Sequence, residues 1–154
     1  WDMLLPFFAG FNYGYYLKDF EKAALFMGRA AEISGNSAMA RLASRYYYEA
    51  GESATAIEFL AQMERFSRSA REAELYRLRR EALVAVAIIE RALAEFESTQ
   101  GVKPDNLEQL TDSGLLTELP LDPYGGTFFI DASGQIRSTS NFAQKRTDGS
   151  NKGQ

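Results

Sequence analysis

The 154-residue chain contains no cysteine and no histidine. Without cysteine there are no disulfides, no thiolate zinc sites and no sulfur nucleophile. Without histidine the commonest general base and the commonest metal ligand are both missing. Acid–base chemistry is left to carboxylates, and nothing in the chain implies a metal or a cofactor. No unbroken apolar run approaches the ~20 residues that a membrane-spanning helix needs. The opening, Trp1-Asp2-Met3-Leu4-Leu5, lacks the basic region of a signal peptide and suggests a fragment of a longer protein. There is no excess of positive charge either. With 17 basic against 21 acidic residues, nucleic acid is not an expected partner.

What is present is ordinary for a globular protein: 45% apolar and 25% charged residues. The length suits one domain, or one domain with a small appendage. The organising stretch is 69–98, which reads as a single helix because no proline or glycine interrupts it. Leu75, Leu78, Ala82, Val86, Ile89, Leu93 and Phe96 recur at helical spacing on one face. Residues 83–89 are apolar on every face, so this helix is expected to be covered from several sides. Arg65, Arg68, Arg71, Arg77, Arg79 and Arg80 interleave with Glu64, Glu72, Glu74 and Glu81, the pattern of a helix surface with paired charges.

Before the long helix, four shorter ones are expected. The first runs over 6–17, with Pro6 in its first turn. Gly10 and Gly14, four apart, allow a neighbour to approach closely. The second runs over 20–33 behind Asp19 as N-cap, and Ser34-Gly35-Asn36-Ser37 ends it and starts the next. The third covers 38–50 and stops at Gly51, and Ser53 caps a fourth that reaches Phe66. After the long helix, Gly101 is the stop, and Asp105 with Glu108 reads as a capping box for a short helix to Ser113. In Leu121-Asp122-Pro123-Tyr124-Gly125, Pro123 takes the second position of a tight turn, whose carboxylate, Asp122, accepts backbone N–H bonds. Residues 127–131 and 135–139 flank Ala132-Ser133-Gly134 as a β-hairpin. Residues 143–154 are polar and expected to be disordered. The expected segments are thus 1–68, 69–100, 101–142 and 143–154.

The helix pairs repeat. Ala23, Met27 and Ala30 match Ala56, Leu60 and Met63 about 33 residues on. With Tyr47 and Gly51 in the second unit and Phe20 in the first, the half over 6–66 resembles the tetratricopeptide repeat family. The first unit departs from the family at Phe11 and Lys18, which stand where glycines are usual. The resemblance implies paired antiparallel helices and a concave groove that holds an extended peptide. By position the groove falls on Phe8, Asn12 and Tyr15, and on Arg41, Arg45 and Tyr48. Asparagine and arginine there suit an acidic or C-terminal peptide segment. The alternative is that the arginines are solvated and the tyrosines are packing residues. For Tyr13, Tyr15, Tyr16, Tyr46, Tyr47 and Tyr48 as a group, filling the interfaces between helices is favoured over stacking on sugars. Trp1, Phe7, Phe8 and Phe11 would then form a seam with a preceding repeat.

Residues 85–140 resemble the C-terminal part of type II secretion pseudopilins and type IV pilin-like proteins. The matching residues are Leu107, Leu110, Leu119, Pro120, Asp122, Pro123, Tyr124 and Gly125, with Gly134 and Ser138 in the hairpin. Helical hairpins precede this region where pilins have an apolar assembly helix, so polymerisation as a pilin is not expected. The resemblance implies a periplasmic or envelope location. The expected fold is mainly α: tetratricopeptide-like hairpins, a long capping helix and a small C-terminal α+β element. The expected function is a non-catalytic scaffold or adaptor for a protein or peptide partner. The alternatives are a terminal cap of a longer membrane-anchored repeat protein, or a hydrolase or sugar-binding module built on two convergent carboxylates.

Overall fold

The computed structural model describes residues 2–140 and 142. The fold is mainly helical, with a small C-terminal antiparallel sheet. The helices are α1 (Leu4–Asn12), α2 (Phe20–Ser34), α3 (Ser37–Glu49), α4 (Ser53–Arg65), α5 (Ala70–Gln100) and α6 (Glu108–Asp112). The strands are β1 (Phe128–Ile130) and β2 (Ile136–Ser138). The chain divides into two compact units, Trp1–Ala87 and Ile88–Gln154. The division falls inside α5. The expectations for Trp1 and for 143–154 lie outside the described residues.

In the N-terminal unit each helix packs on the next: α1 on α2, α2 on α3, α3 on α4. The inner faces are built from small residues. Ala23, Ala24, Ala30, Ala31, Ala40, Ala43 and Ala56 are fully buried, with Met27 and Leu60 between them. The caps explain the boundaries. Asp19 accepts the backbone N–H of Lys22 at 3.1 Å and pairs with its ammonium at 2.9 Å. Asn36 accepts the N–H groups of Ala38 and Met39, after Gly35 ends α2 in the left-handed region (φ 64°). Ser53 is not a cap: it is the first helical residue and is buried, and Glu52 precedes it without a side-chain cap bond. The α5 N-terminus has a reciprocal cap. Ser69 accepts from Glu72 N–H at 3.1 Å, and the Glu72 carboxylate accepts from Arg68 N–H at 2.8 Å.

Charge pairing on α5 follows the expected pattern in part and adds two anchors. Arg77 bonds Glu74 at 2.5 Å and also bonds Glu81. Arg80 donates to Glu64 on α4 at 2.8 and 3.0 Å, and Arg79 donates to the fully buried Ser44 hydroxyl on α3 at 2.5 Å. The all-round apolar stretch of α5 is covered on one side only. Tyr76, Ala82, Leu83, Val86 and Ile89 are buried, whereas Leu75, Val84 and Ile88 are exposed. Here Tyr76, not Leu75, faces inward. Its phenol is pushed up to about 12, by burial first and then by the charge of Glu72.

In the C-terminal unit, Ile89, Ala92, Phe96, Leu107, Leu110, Phe128, Ile136 and Phe142 supply the buried apolar side chains. Leu107 precedes α6 without a side-chain cap bond, and the capping contacts come from Asn106 and Gln109, not from Asp105 and Glu108. Asn106 accepts from Gln109 N–H at 3.2 Å, and the Gln109 amide oxygen accepts from Asp105 N–H at 2.8 Å. The strands are shorter than expected, three residues each, in the register Phe128↔Ser138, Phe129↔Arg137 and Ile130↔Ile136. The Asp122 turn closes through Gly125 N–H to Asp122 O at 2.9 Å, with Gly125 at φ 83°. Buried Asp122 accepts from Tyr124 N–H at 2.8 Å, from the Ser140 hydroxyl at 2.6 Å and from the Ser138 hydroxyl. One carboxylate therefore fixes the turn and ties it to the end of β2.

Candidate protein-interaction surface

α1 has two opposite faces. Its inner face carries Gly10 and Gly14, both buried. A Cβ at Gly10 would stand 2.8 Å from Met27 N and 3.2 Å from Ala23 O, so α1 rests on the backbone of α2. A Cβ at Gly14 would stand 2.3 Å from the Tyr46 ring of α3, so the backbone here rests against that ring. The expected single helix over 6–17 becomes α1 followed by a π-helical turn, Tyr13–Leu17. It ends at Lys18 (φ 54°), and Asp19 N–H closes back on Tyr13 O at 3.0 Å.

The outer face is apolar and open. Leu5 is 80% exposed, Phe8 57%, Tyr15 50% and Tyr16 69%. No residue from 3 to 17 is charged. The rings order one another along the helix: Phe7 to Phe11 at 6.5 Å, Phe11 to Tyr15 at 5.3 Å and nearly parallel, and Tyr15 to Tyr16 at 4.9 Å edge-on. Lys18 places its ammonium 5.5 Å from the Tyr15 ring centre. Rotamers ordered before binding lose less entropy when a partner arrives.

Of the six groove positions, Phe8, Asn12 and Tyr15 lie on this open face, and Arg41 is exposed on α3. Arg45 is half-buried, 3.9 Å from Glu49. Tyr48 is buried at 3% exposure and offers no surface to a ligand. Tyr15 and Tyr16 do not fill helix interfaces. Of the other tyrosines, Tyr13 stacks on Phe26 at 5.6 Å, Tyr47 packs on Phe59, and Tyr46 is buried. Tyr16 and Leu5, which the sequence reading did not assign to the site, complete the surface. The signal for them is the uncharged run combined with two glycines on the opposite face.

The C-terminal unit has a cleft of about 420 Å³ lined by Leu93, Glu97, Lys103, Asp105, Ile130 and the hairpin loop at Asp131. It is the place to look for convergent carboxylates. Asp131, however, is engaged by its own loop: it accepts from Ser133 N–H at 2.8 Å, Ser133 Oγ at 2.6 Å, Gln135 N–H at 3.0 Å and Arg137 Nε at 3.1 Å. Burial raises its pKa, but the bonds from Ser133, Gln135 and Arg137 together outweigh that and hold it at about 2. A carboxyl depressed in the folded state contributes stability above its unfolded value of ~3.9 and loses it as pH falls through the folded value. Acidification from pH 5 to pH 2 is therefore expected to weaken the C-terminal unit by about 2 kcal/mol through this group. Asp131→Asn should flatten that part of a pH-dependent urea series. Among the described residues, no cluster of carboxylates is arranged to hold a metal ion, and no helix is long and apolar enough to cross a membrane.

No family profile matches the chain, and neither a curated protein nor a solved structure matches it.

Proposed function

We propose that this chain is a non-catalytic protein-interaction module, an adaptor whose docking surface is the open face of α1. The observation that carries the reading is the pairing of that aromatic face with a glycine face seated on α2 and Tyr46. The helix is held firmly while its largest side chains remain in water. Half-exposed aromatic rings on a fixed support are the composition of interface anchors. The four-helix array, with tetratricopeptide-like spacing, supports the same reading, and Arg41, exposed on α3, is a separate cation suited to an acidic peptide. A second reading, a terminal cap of a longer repeat array, draws on the same open seam of Phe7, Phe8 and Phe11. The exposure of Arg41 favours the adaptor. The pilin-like Asp122-Pro123-Tyr124-Gly125 turn supports a link to a bacterial secretion or pilus system in the cell envelope.

The test is titration of the labelled chain with acidic peptides that end in a free carboxylate, followed by amide chemical shifts. Shifts are expected at Asn12, Tyr15 and Arg41. Arg41→Glu should weaken binding about tenfold or more, because a hydrogen bond to a charged group contributes roughly 1.5–3 kcal/mol. Shifts confined to the C-terminal unit would sink the adaptor assignment for α1.

A further inference from the structure

We infer that the partner of the α1 face is a second copy of this chain, packed as an antiparallel helix pair about a two-fold axis. This rests on the reading of that face as a docking surface. The exposed seam is Leu5, Phe8 and Asn12, at the three–four spacing of a helix laid along another helix, continued by Tyr15 of the π-helical turn. An antiparallel pair centred on Gly10 sets Leu5 opposite Tyr15 of the other copy, and Phe8 opposite Asn12. The same register sets Asp2 opposite Lys18 twice, by symmetry. These two charges close an uncharged run at both ends, both are exposed, and neither has an ion-pair partner in its own chain among the described residues. A parallel pair would oppose Asp2 to Asp2 and Lys18 to Lys18. Attractive rim charges mainly decide orientation, whereas like charges set opposite each other cost affinity.

The seam and its flank are open: Leu5, Phe8, Tyr15 and Tyr16 each leave half or more of their surface in water. Asn12 is the one polar residue in the seam. Facing a Phe8 ring, it weakens the pair and keeps it reversible.

The experiment is sedimentation equilibrium of the full chain and four variants. The wild type is expected to show a concentration-dependent dimer. Phe8→Ala should abolish it, and Asn12→Leu should tighten it by tenfold or more. Asp2→Lys and Lys18→Asp should each weaken it about tenfold. Mixed in equal amounts, those two should recover wild-type affinity as a heterodimer, since each then faces its opposite charge. A wild type that stays monomeric to millimolar concentration overturns the inference, as does a dimer that survives Phe8→Ala or a mixture that fails to recover. The peptide titration separates this from the docking reading. A monomeric chain whose Asn12 and Arg41 amides still shift with peptide has a docking face with a different partner. In that case Asn12→Leu weakens peptide binding.

Discussion

Gly10→Val should lower the unfolding free energy of the N-terminal unit by about 3 kcal/mol, at the upper end of the cost of overpacking. The atoms that a side chain would meet are Met27 N at 2.8 Å, Met27 Cα at 3.2 Å and Ala23 O at 3.2 Å, all backbone of α2. Backbone in a helix cannot swing aside as a side chain does, so α1 and α2 must separate. Separation also loosens the contacts around Ala23 and Met27, which are fully buried. The gain in helix propensity on leaving glycine, up to about 1 kcal/mol, offsets only part of this. Gly28 is the control. It is also a buried helical glycine, but a Cβ there would meet only the Tyr47 hydroxyl at 3.4 Å and ring atoms of Phe59 and Tyr47 at 3.6 and 3.9 Å. Gly28→Ala should leave stability close to wild type. Urea unfolding followed by circular dichroism reads both, and equal midpoints for the two variants would contradict the seating of α1 on α2.

Asp122→Ala should cost the C-terminal unit about 2 kcal/mol or more, since it removes the acceptor that three donors now share. Tyr124 N–H and the hydroxyls of Ser138 and Ser140 converge on it in an enclosed space. A Cβ at Gly126 would stand 2.6 Å from Ser138 Oγ and Ser140 N and 2.7 Å from Asp122 Oδ2. Loss of the carboxylate takes the acceptor from the Tyr124 N–H, whereas the two hydroxyls, 3.2 Å apart, can bond each other. Asp122→Asn should cost less, because one amide oxygen still accepts. Hydrogen exchange at Tyr124 and Ser140 gives the readout: fast exchange in the alanine variant is expected, and unchanged protection would show that the turn is held by something else.

Much of the fold was legible because its signals are local. Asp19, Gly35, Gly51, Gly101 and Gly114 each mark a helix end by a conformation or a cap written in one or two residues. The mainly helical class and the C-terminal hairpin follow from such signals. So does the role of Asp122, whose turn bond lies two residues away. Errors arose where the deciding partner is distant. Val84 and Ile88 are as apolar as Leu83 and Val86, and periodicity cannot say which side of α5 acquires a neighbour. Asp105 and Asn106 are both good caps, and only the geometry entering α6 chooses between them. Ser53 became the first residue of α4 and not its cap, a shift of one position. For the surface on α1, the glycine pair showed which side faces inward, but the family pattern misplaced Tyr48. Tyr48 shares the fully buried stripe of Ala40, Ala43 and Ser44, a stripe that a repeat template does not resolve.

The three-residue strands bear on how this protein behaves at high concentration. A two-stranded sheet has two edges, and an edge is a template on which a stray strand can add. Here each edge is only one strand of three residues, too short to nucleate a stable cross-β ladder. The brevity of the hairpin gives an added strand little to pair with.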